Sequence, residues 1–158
     1  MRCVIAVAIL LCSAVGARAA AVTPLAANAT PEETVTTYLG AMKANDFKQA
    51  YPLVTRDMAQ NKSQDDWVKE QQWVMQMAEV KIFDFHVYPG KIEGDTAYVP
   101  NVLNSQDKFL NQLGVVEHEL YTLVKEDGAW KVDQQVIVEP GDVPKWFPAQ
   151  GAAEPQSH

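Results

Sequence analysis

The residues best suited to chemistry are a histidine and a glutamine on one predicted face of a C-terminal hairpin. His118 and Gln134 are the polar residues on the apolar face of that hairpin. An imidazole titrates near neutral pH, so His118 is a candidate general base with Gln134 as its hydrogen-bonding neighbour. The alternative is a satisfied, half-buried histidine near a strand end. Glu117 and Glu119 are predicted to point to the opposite face, so these residues lack metal-ligand spacing.

A second carboxylate–imidazole pair occurs in the first predicted strand. Asp84 and His86 are two residues apart and therefore share a strand face. The other face carries Phe83, Phe85 and Val87, which have the composition of a buried side. This pattern leaves Asp84 and His86 in solvent.

Helices precede the strands that must position these side chains. Thr30 is a capping residue, Pro31 suits a first helical turn, and Glu33 completes a capping box, so a helix begins here. Its apolar stripe consists of Val35, Tyr38, Leu39 and Met42. Asp46 can cap a short second helix that contains Tyr51.

A third helix is predicted from Ser63, with Asp66 three positions later as a cap-like partner. Trp67 lies on its apolar stripe. Trp73 falls off that stripe, and two explanations stay open for it. It either flanks a neighbouring loop or forms part of a partner surface.

The period of the sequence then changes from helical spacing to alternation. Four strands are predicted at residues 80–88, 96–103, 115–125 and 130–138. A three-residue loop at residues 126–128 would place Val124 opposite Trp130, and burial of one face favours this register. The sequence therefore predicts an α+β domain, with three helices packed on a curved four-stranded antiparallel sheet.

The N-terminus has the pattern of an export signal. Arg2 precedes an apolar run over residues 3–15, and a small-x-small cleavage site follows at residues 17–19. The run is too short for a stable membrane anchor. We predict a signal peptide at 1–19, a flexible leader at 20–29, one domain at 30–139 and a Pro/Ala-rich tail at 140–158. The mature protein is expected to be soluble and exported, either periplasmic or extracellular, with no membrane partner.

Composition excludes several kinds of chemistry. Both cysteines, Cys3 and Cys12, lie inside the predicted signal peptide, so the mature chain would have no disulfide, thiol nucleophile or cysteine-bound metal. Removal of Arg2 and Arg18 leaves 11 basic and 20 acidic residues, a net charge of −9. That charge argues against nucleic acid as a partner, because nucleic acid demands basic clusters. We expect neither a cofactor nor a metal.

Three segments carry a resemblance to a known family. They are residues 38–51 (YLGAMKANDFKQAY), 92–99 (IEGDTAYV) and 121–132 (YTLVKEDGAWKV). Their order and spacing resemble the nuclear transport factor 2-like superfamily, also called SnoaL-like or cystatin-like. The resemblance implies a cone with a cavity between helices and sheet, and often a dimer through the outer sheet face. The superfamily includes isomerases, dehydratases, hydrolases and accessory domains, so it does not fix a reaction.

The resemblance also implies where a catalytic set would lie. In cone enzymes resembling ketosteroid isomerase, Tyr38 would be a hydroxyl donor beside an inward base of raised pKa. No acidic residue points inward on the predicted faces, so we expect no catalytic residue, with His118 and Tyr38 as the alternative pair. The expected pocket lining is Tyr38, Tyr51, Trp67, His118 and Gln134. The expected interface is Trp73, Tyr121, Leu123, Trp146 and Phe147.

Three functions remain open from the sequence. The first is an exported binding or accessory domain that uses a hydrophobic cavity for a small molecule, or contacts an envelope protein, without catalysis. The second is a small isomerase- or dehydratase-type enzyme that moves a proton on a hydrophobic molecule. The third is a dimeric envelope-assembly component. Trp146 and Phe147 would plug the cone mouth, bind a partner or pack on the domain edge.

Overall fold

The computed structural model describes residues 28–147, which form four α-helices, one 3₁₀ turn and five strands. The elements are α1 (Pro31–Lys43), α2 (Phe47–Ala50), the 3₁₀ turn (Tyr51–Leu53), α3 (Gln64–Met77), β1 (Lys81–Val87), β2 (Lys91–Glu93), β3 (Thr96–Gln106), β4 (Val116–Glu126), β5 (Ala129–Ile137) and α4 (Val143–Trp146). The predicted signal peptide, most of the predicted leader and the tail from residue 148 onward lie outside the described residues. Within that range, no helix is long and apolar enough to cross a membrane.

Helix α1 begins at the predicted capping box. The Thr30 Oγ1 accepts a hydrogen bond from the Glu33 backbone N–H at 3.2 Å, and the Thr30 N–H donates to the Glu33 Oε2 at 2.8 Å. Two backbone donors at the helix start are thereby satisfied. The helix then buries Val35, Tyr38 and Leu39 against the sheet.

Replacing Thr30 with alanine is expected to lower the free energy of unfolding by about 1 kcal/mol, because the cap is lost. Chemical denaturation measures the change. Thr36→Ala is the matched control, since Thr36 is exposed on the same helix. Equal stability of Thr30→Ala and the wild type would contradict the cap assignment.

The strands form one antiparallel sheet in the order β1-β3-β4-β5, and the short β2 pairs with the free end of β3. Helices precede the sheet and pack on one of its sides, as predicted. The observed sheet has five strands rather than four because residues 91–93 pair with Thr96–Tyr98 of β3. The α+β prediction is confirmed.

The predicted register of the last hairpin is wrong. The loop between β4 and β5 has two residues, Asp127 and Gly128, with φ of 54° and 81°. Positive φ at both positions is the geometry of a tight type I′ turn. Leu123 therefore pairs with Val132, and a bulge next in the ladder makes Thr122 pair with Gln134. The bulge adds one unpaired residue to β5. Buried side chains of both strands can therefore share one face without a three-residue loop.

This register decides which side chains face the helices. We call the helix-covered side the inner face, which carries Ala97, Val99, Asn101 and Leu103 of β3 and Glu119, Tyr121 and Leu123 of β4. The opposite side is the outer face, which carries Tyr98, Val102, His118 and Leu120. The sequence prediction had these two faces of β4 exchanged.

The outer face is covered by the C-terminal segment. Phe147 packs with Leu120 and Val138, and Trp146 and Tyr98 join the same cluster. Residues 143–147 of the predicted tail therefore pack on the domain, and among the three alternatives for Trp146 and Phe147 this contact agrees best with packing on the domain edge. Strands β3 and β4 are consequently apolar on both faces, which removes the alternation that normally reveals the buried side.

A second bulge changes the faces of β1. The ladder to β3 shifts between Ile82 and Asp84. Ile82 and Phe85 pack against the core, whereas Phe83 is exposed. The predicted buried face is therefore right for Phe85 and wrong for Phe83. Asp84 is exposed and pairs with Lys43 at 3.8 Å, as expected for a solvated residue.

Candidate ligand-binding site on the inner face

A buried glutamate lies at the centre of the inner face. The Glu119 residue is 2% exposed and belongs to β4, between β3 and β5. Its Oε2 accepts hydrogen bonds from the Asn101 Nδ2 at 2.9 Å and the Tyr121 hydroxyl at 3.2 Å. Its Oε1 accepts one from the Gln135 Nε2 at 2.7 Å. We call these four residues the Glu119 cluster.

The strand pairing explains why these side chains meet. Asn101 lies directly opposite Glu119 on β3, and Tyr121 is two residues further along β4 on the same face. Gln135 lies opposite Tyr121 on β5. Because neighbouring strands are about 4.8 Å apart, residues in adjacent pairs reach one another across the sheet. The cluster therefore depends on the observed two-residue turn and bulge.

Burial raises the pKa of the Glu119 carboxyl above its ordinary value, because the charged form loses solvation. The hydrogen bonds from Asn101, Gln135 and Tyr121 act in the opposite direction but do not offset the effect of burial. The nearby Glu117 raises the pKa further, since it carries the same charge. Glu119 is thus an inward acid of raised pKa, the group that the sequence prediction found missing.

Two tyrosines adjoin this acid. Burial, and secondly the Glu119 charge, raises the pKa of Tyr38 to about 12. The same two effects raise the pKa of Tyr121 well above its usual range. Their rings meet edge to face with centroids 6.2 Å apart. Both phenols therefore stay protonated near neutral pH, and Tyr121 serves as a hydrogen-bond donor to Glu119.

Asn101 leaves one polar atom unsatisfied. The residue is fully buried, and its Oδ1 has no hydrogen-bond partner among the described residues. Its Nδ2 points along the sheet toward Glu119, so the Oδ1 on the same amide points away from that carboxylate. A buried acceptor without a partner costs about 1–3 kcal/mol. It is therefore a feature that calls for a functional explanation.

The Glu119 cluster lies where the inner face changes from closed to open. Along β4, Tyr121 is fully buried, Glu119 nearly so, Glu117 half-buried and Val115, just before the strand, exposed. Across the sheet, Ile137 lies opposite Glu119 and is exposed, and Gln135 is exposed as well. Glu119 therefore lies between the buried part of the inner face and the exposed edge strand β5, where the Gln135 amide contacts it.

The structure separates the predicted pocket residues. Tyr38 lies on the inner face beside the Glu119 cluster. Tyr51 and Trp67 pack against each other with ring centroids 5.8 Å apart, and the Tyr51 hydroxyl donates to the Lys62 carbonyl. They belong to the same core but make no described contact with the cluster.

The predicted pair of His118 and Gln134 lies on the outer face. His118 packs edge to face on Phe147, with ring centroids 4.7 Å apart, and Gln134 pairs with the outward-facing Thr122. The prediction that these two residues line an inner pocket is wrong, because it depended on the three-residue loop. His118 and Tyr38 therefore do not form one site.

The predicted interface is also changed by the exchange of faces. Tyr121 and Leu123 are fully buried in the core, so neither is available to a partner. Phe147 is buried against the outer face and Trp146 is half-buried. Trp73 is exposed, as a partner surface would require.

Sequence reasoning missed Glu119, Asn101 and Gln135. The available signal was the alternation of Glu117, Glu119, Tyr121 and Leu123 on one face of β4. It would have been usable only with a two-residue turn, whose Asp-Gly sequence is a strong hairpin signal. No cluster of three or more metal-ligating side chains is present in residues 28–147.

A cavity lies among the helices, remote in sequence from the Glu119 cluster. It has a volume of 430 Å³ and is lined by Asn45, Phe47, Gln72, Met75, Gln76 and Val80. Its polar side chains are neutral amides, so it offers a contrasting chemical environment to the two inner-face carboxyl groups.

The raised pKa of Glu119 predicts a pH-dependent stability. As pH rises from about 4.3, the ordinary glutamate pKa, the unfolded chain releases this proton before the folded chain does. The free energy of unfolding of the wild type should therefore fall through that range until Glu119 ionises in the folded state as well. Glu119→Gln cannot ionise and is expected to gain stability relative to the wild type as pH rises.

Denaturation at a series of pH values measures this difference. Glu139→Gln is the matched control, because it removes an exposed carboxyl group outside the Glu119 cluster. A constant difference for Glu119→Gln would contradict the raised pKa.

The chain thus forms an α+β fold, with helices on one face of a bulged antiparallel sheet and an inward acid on that face. No family model matches the chain, and no curated protein matches it either. Among solved structures, a SEC-C motif containing protein from Rhodopseudomonas palustris has a TM-score of 0.54 at 14% identity, over 70% of this chain and 80% of that chain.

Two further structures have lower scores. A nuclear transport factor 2-like protein of unknown function from Cytophaga hutchinsonii has a TM-score of 0.42 at 12% identity, over 75% of this chain and 96% of its own. A protein with a cystatin-like fold from Caulobacter vibrioides has a TM-score of 0.42 at 15% identity, over 71% and 89%. At these identities the likeness concerns the fold alone.

Proposed function

We propose that this protein is an exported binding protein that takes a small molecule on the inner face of its sheet, at the Glu119 cluster. The observation that carries the proposal is a carboxyl group held almost out of solvent by donors from three strands. It lies next to the edge strand β5, where Gln135 and Ile137 are exposed. Export rests on the N-terminal sequence pattern.

The energetics of the cluster favour a functional role over a structural one. Burying a carboxyl group costs solvation that its hydrogen bonds only partly return, and the raised pKa of Glu119 reflects this balance. The unpartnered Asn101 Oδ1 adds a further cost. Apolar residues at these positions would stabilise the domain better, whereas a ligand that supplies donors would satisfy the exposed side of the cluster.

A second candidate function is proton transfer in a small isomerase- or dehydratase-type enzyme. The observation that favours it is the inward acid of raised pKa beside the Tyr121 hydroxyl. Glu119 would then be the general base in place of His118, and Tyr121 would orient it. Binding without turnover that is lost in Glu119→Gln supports the first function, whereas turnover lost in the same variant supports the second.

A dimeric envelope-assembly role stays a prediction. Among its five predicted interface residues, Trp73 has a largely exposed side chain. A dimer through the outer face would have to form over the C-terminal segment that packs there.

Native mass spectrometry of the mature protein, purified from the exported fraction of its host, tests the binding proposal. We expect a mass above that of the polypeptide in the wild type, absent from Glu119→Gln and retained in Glu139→Gln. The polypeptide mass alone in the wild type, or the same additional mass in Glu119→Gln, would overturn the proposal.

A further inference from the structure

We infer that the uncovered half of the edge strand β5 binds an extended polypeptide segment of a partner protein, which adds to the sheet as a further strand. The segment that fits is apolar in its centre and basic at both ends. This inference does not rest on the proposed small-molecule function, because it uses the backbone of β5 rather than the Glu119 carboxyl group. It follows from unpaired backbone groups, from an edge without protection and from the charges that flank it.

Strand β5 has a covered half and an uncovered half. Val54 forms a parallel bridge with Val132, where the Thr55 N–H donates to the Val132 carbonyl at 2.9 Å. The Thr55 hydroxyl also donates to the Asp133 Oδ1 at 2.8 Å. Beyond this point, no strand of the described part of the chain pairs with the outer side of β5. Residues 134–137 are all exposed, and we call them the open edge.

The strand pairing shows which backbone groups of the open edge point away from β4. The Val138 N–H donates to the His118 carbonyl at 2.7 Å, so these two residues form a hydrogen-bonded pair. Opposite residues of antiparallel strands alternate between hydrogen-bonded and non-hydrogen-bonded pairs. Because the register is unbroken here, Ile137 and Gln135 direct their N–H and C=O groups away from β4. Two donors and two acceptors at strand spacing are complementary to the backbone of another extended chain.

The open edge lacks the features that protect edge strands from strand addition. Such strands are commonly protected by charged side chains, prolines or bulges. The opposite edge strand, β1, carries Lys81, Asp84 and a bulge between them. Residues 134–138 (QQVIV) contain neither a charge nor a proline. Val136 and Ile137 are 50% and 62% exposed, so an added strand would gain apolar contacts on both of its faces.

The charges beside the open edge favour a basic segment of another protein over a second copy of this chain. Asp133 precedes the edge and Glu139 follows it, and neither takes part in the ion pairs found within residues 28–147. Basic side chains at both ends of an added strand would lie beside these carboxylates. Antiparallel pairing of two copies about Val136 would instead bring the two acidic residues opposite each other, which is destabilising.

Three synthetic peptides test the inference on the mature protein. The first alternates valine and threonine and has lysines at both ends, and the second has glutamates in place of the lysines. The third repeats the first with N-methylated central peptide groups, so it keeps the side chains and loses the N–H donors. Calorimetry near neutral pH gives the dissociation constants. We expect the lysine-ended peptide to bind at least about tenfold more tightly than either of the others.

Ile137→Pro and Ile137→Ala are a matched pair of variants. Both remove the isoleucine side chain, and only proline removes the N–H that points to the open edge. Since that N–H does not pair with β4, Ile137→Pro should keep the pairing of β4 with β5, which chemical denaturation checks. We expect Ile137→Pro to bind the lysine-ended peptide about tenfold more weakly than Ile137→Ala does. If Ile137→Pro fails to fold, the N-methylated peptide on the wild type decides the same question.

Several results would overturn the inference. They are no binding of the lysine-ended peptide at millimolar concentration, equal binding of the N-methylated or glutamate-ended peptide, and equal affinity of the two folded Ile137 variants. Sedimentation velocity examines the other occupant. A dimer that persists in Ile137→Ala and is lost in Ile137→Pro would assign the open edge to a second copy of this chain, and would also overturn the inference.

Discussion

Replacing Phe147 with alanine is expected to lower the free energy of unfolding by about 3–5 kcal/mol, the usual cost of removing a buried phenylalanine. Phe147 is only 7% exposed and packs on Leu120 and Val138, with its ring against His118 and Tyr88. Its loss would leave the outer face of β3 and β4 partly uncovered. Chemical denaturation of the purified variant gives the change.

Phe109→Ala is the matched control for this substitution. Phe109 is 59% exposed in the loop between β3 and β4, so its removal should change the free energy of unfolding by no more than about 0.5 kcal/mol. Equal, small effects of the two substitutions would mean that the C-terminal segment does not belong to the folded domain.

Replacing Leu123 with alanine is expected to cost about 2–5 kcal/mol. Leu123 is fully buried on the inner face beside Val132 and Ala97. An alanine there leaves a cavity in the centre of the sheet. The substitution tests the assignment of the two faces, because the sequence alone placed Leu123 at a surface interface.

Leu113→Ala is the control, since Leu113 is 91% exposed, and it should have little effect on stability. The opposite pattern would be self-association lost in Leu123→Ala with stability unchanged. That result would return Leu123 to the outer face and remove the basis for the Glu119 cluster.

The helices could be predicted because their signals are local. The capping box of Thr30 and Glu33 forms as predicted, and Ser63 caps α3 through the Asp66 backbone N–H. Such signals depend on residues three positions apart and need no knowledge of tertiary packing. The existence and order of the main strands were equally accessible from their alternation.

The faces of the sheet could not be predicted from alternation. Leu120 and Tyr121 are neighbours in sequence, and both are buried, one beneath Phe147 and the other beneath α1. Burial on both sides makes the pattern nearly symmetric, so one residue of register decides which set points inward. The bulge opposite Thr122 and Leu123 then allows the two-residue turn to coexist with a buried Val132.

The candidate site was missed for the same reason. The predicted register that places His118 inside also places Glu119 outside, and the absence of an inward acid follows from that register. The partners Asn101 and Gln135 are distant in sequence from Glu119 and meet it only through strand pairing. Tyr38 could be found because its helix has a local signature.

The most direct test of the Glu119 cluster as the binding site is NMR of the side-chain amides in two samples of the mature protein. One is purified from the exported fraction of its host, and the other is the same protein unfolded and refolded without small molecules. The signals of Asn101 and Gln135 are predicted to differ between the two samples of the wild type and to coincide in those of Glu119→Gln. Differences confined to Gln72 and Gln76, which line the 430 Å³ cavity among the helices, would place binding elsewhere. That result would contradict the inner-face site.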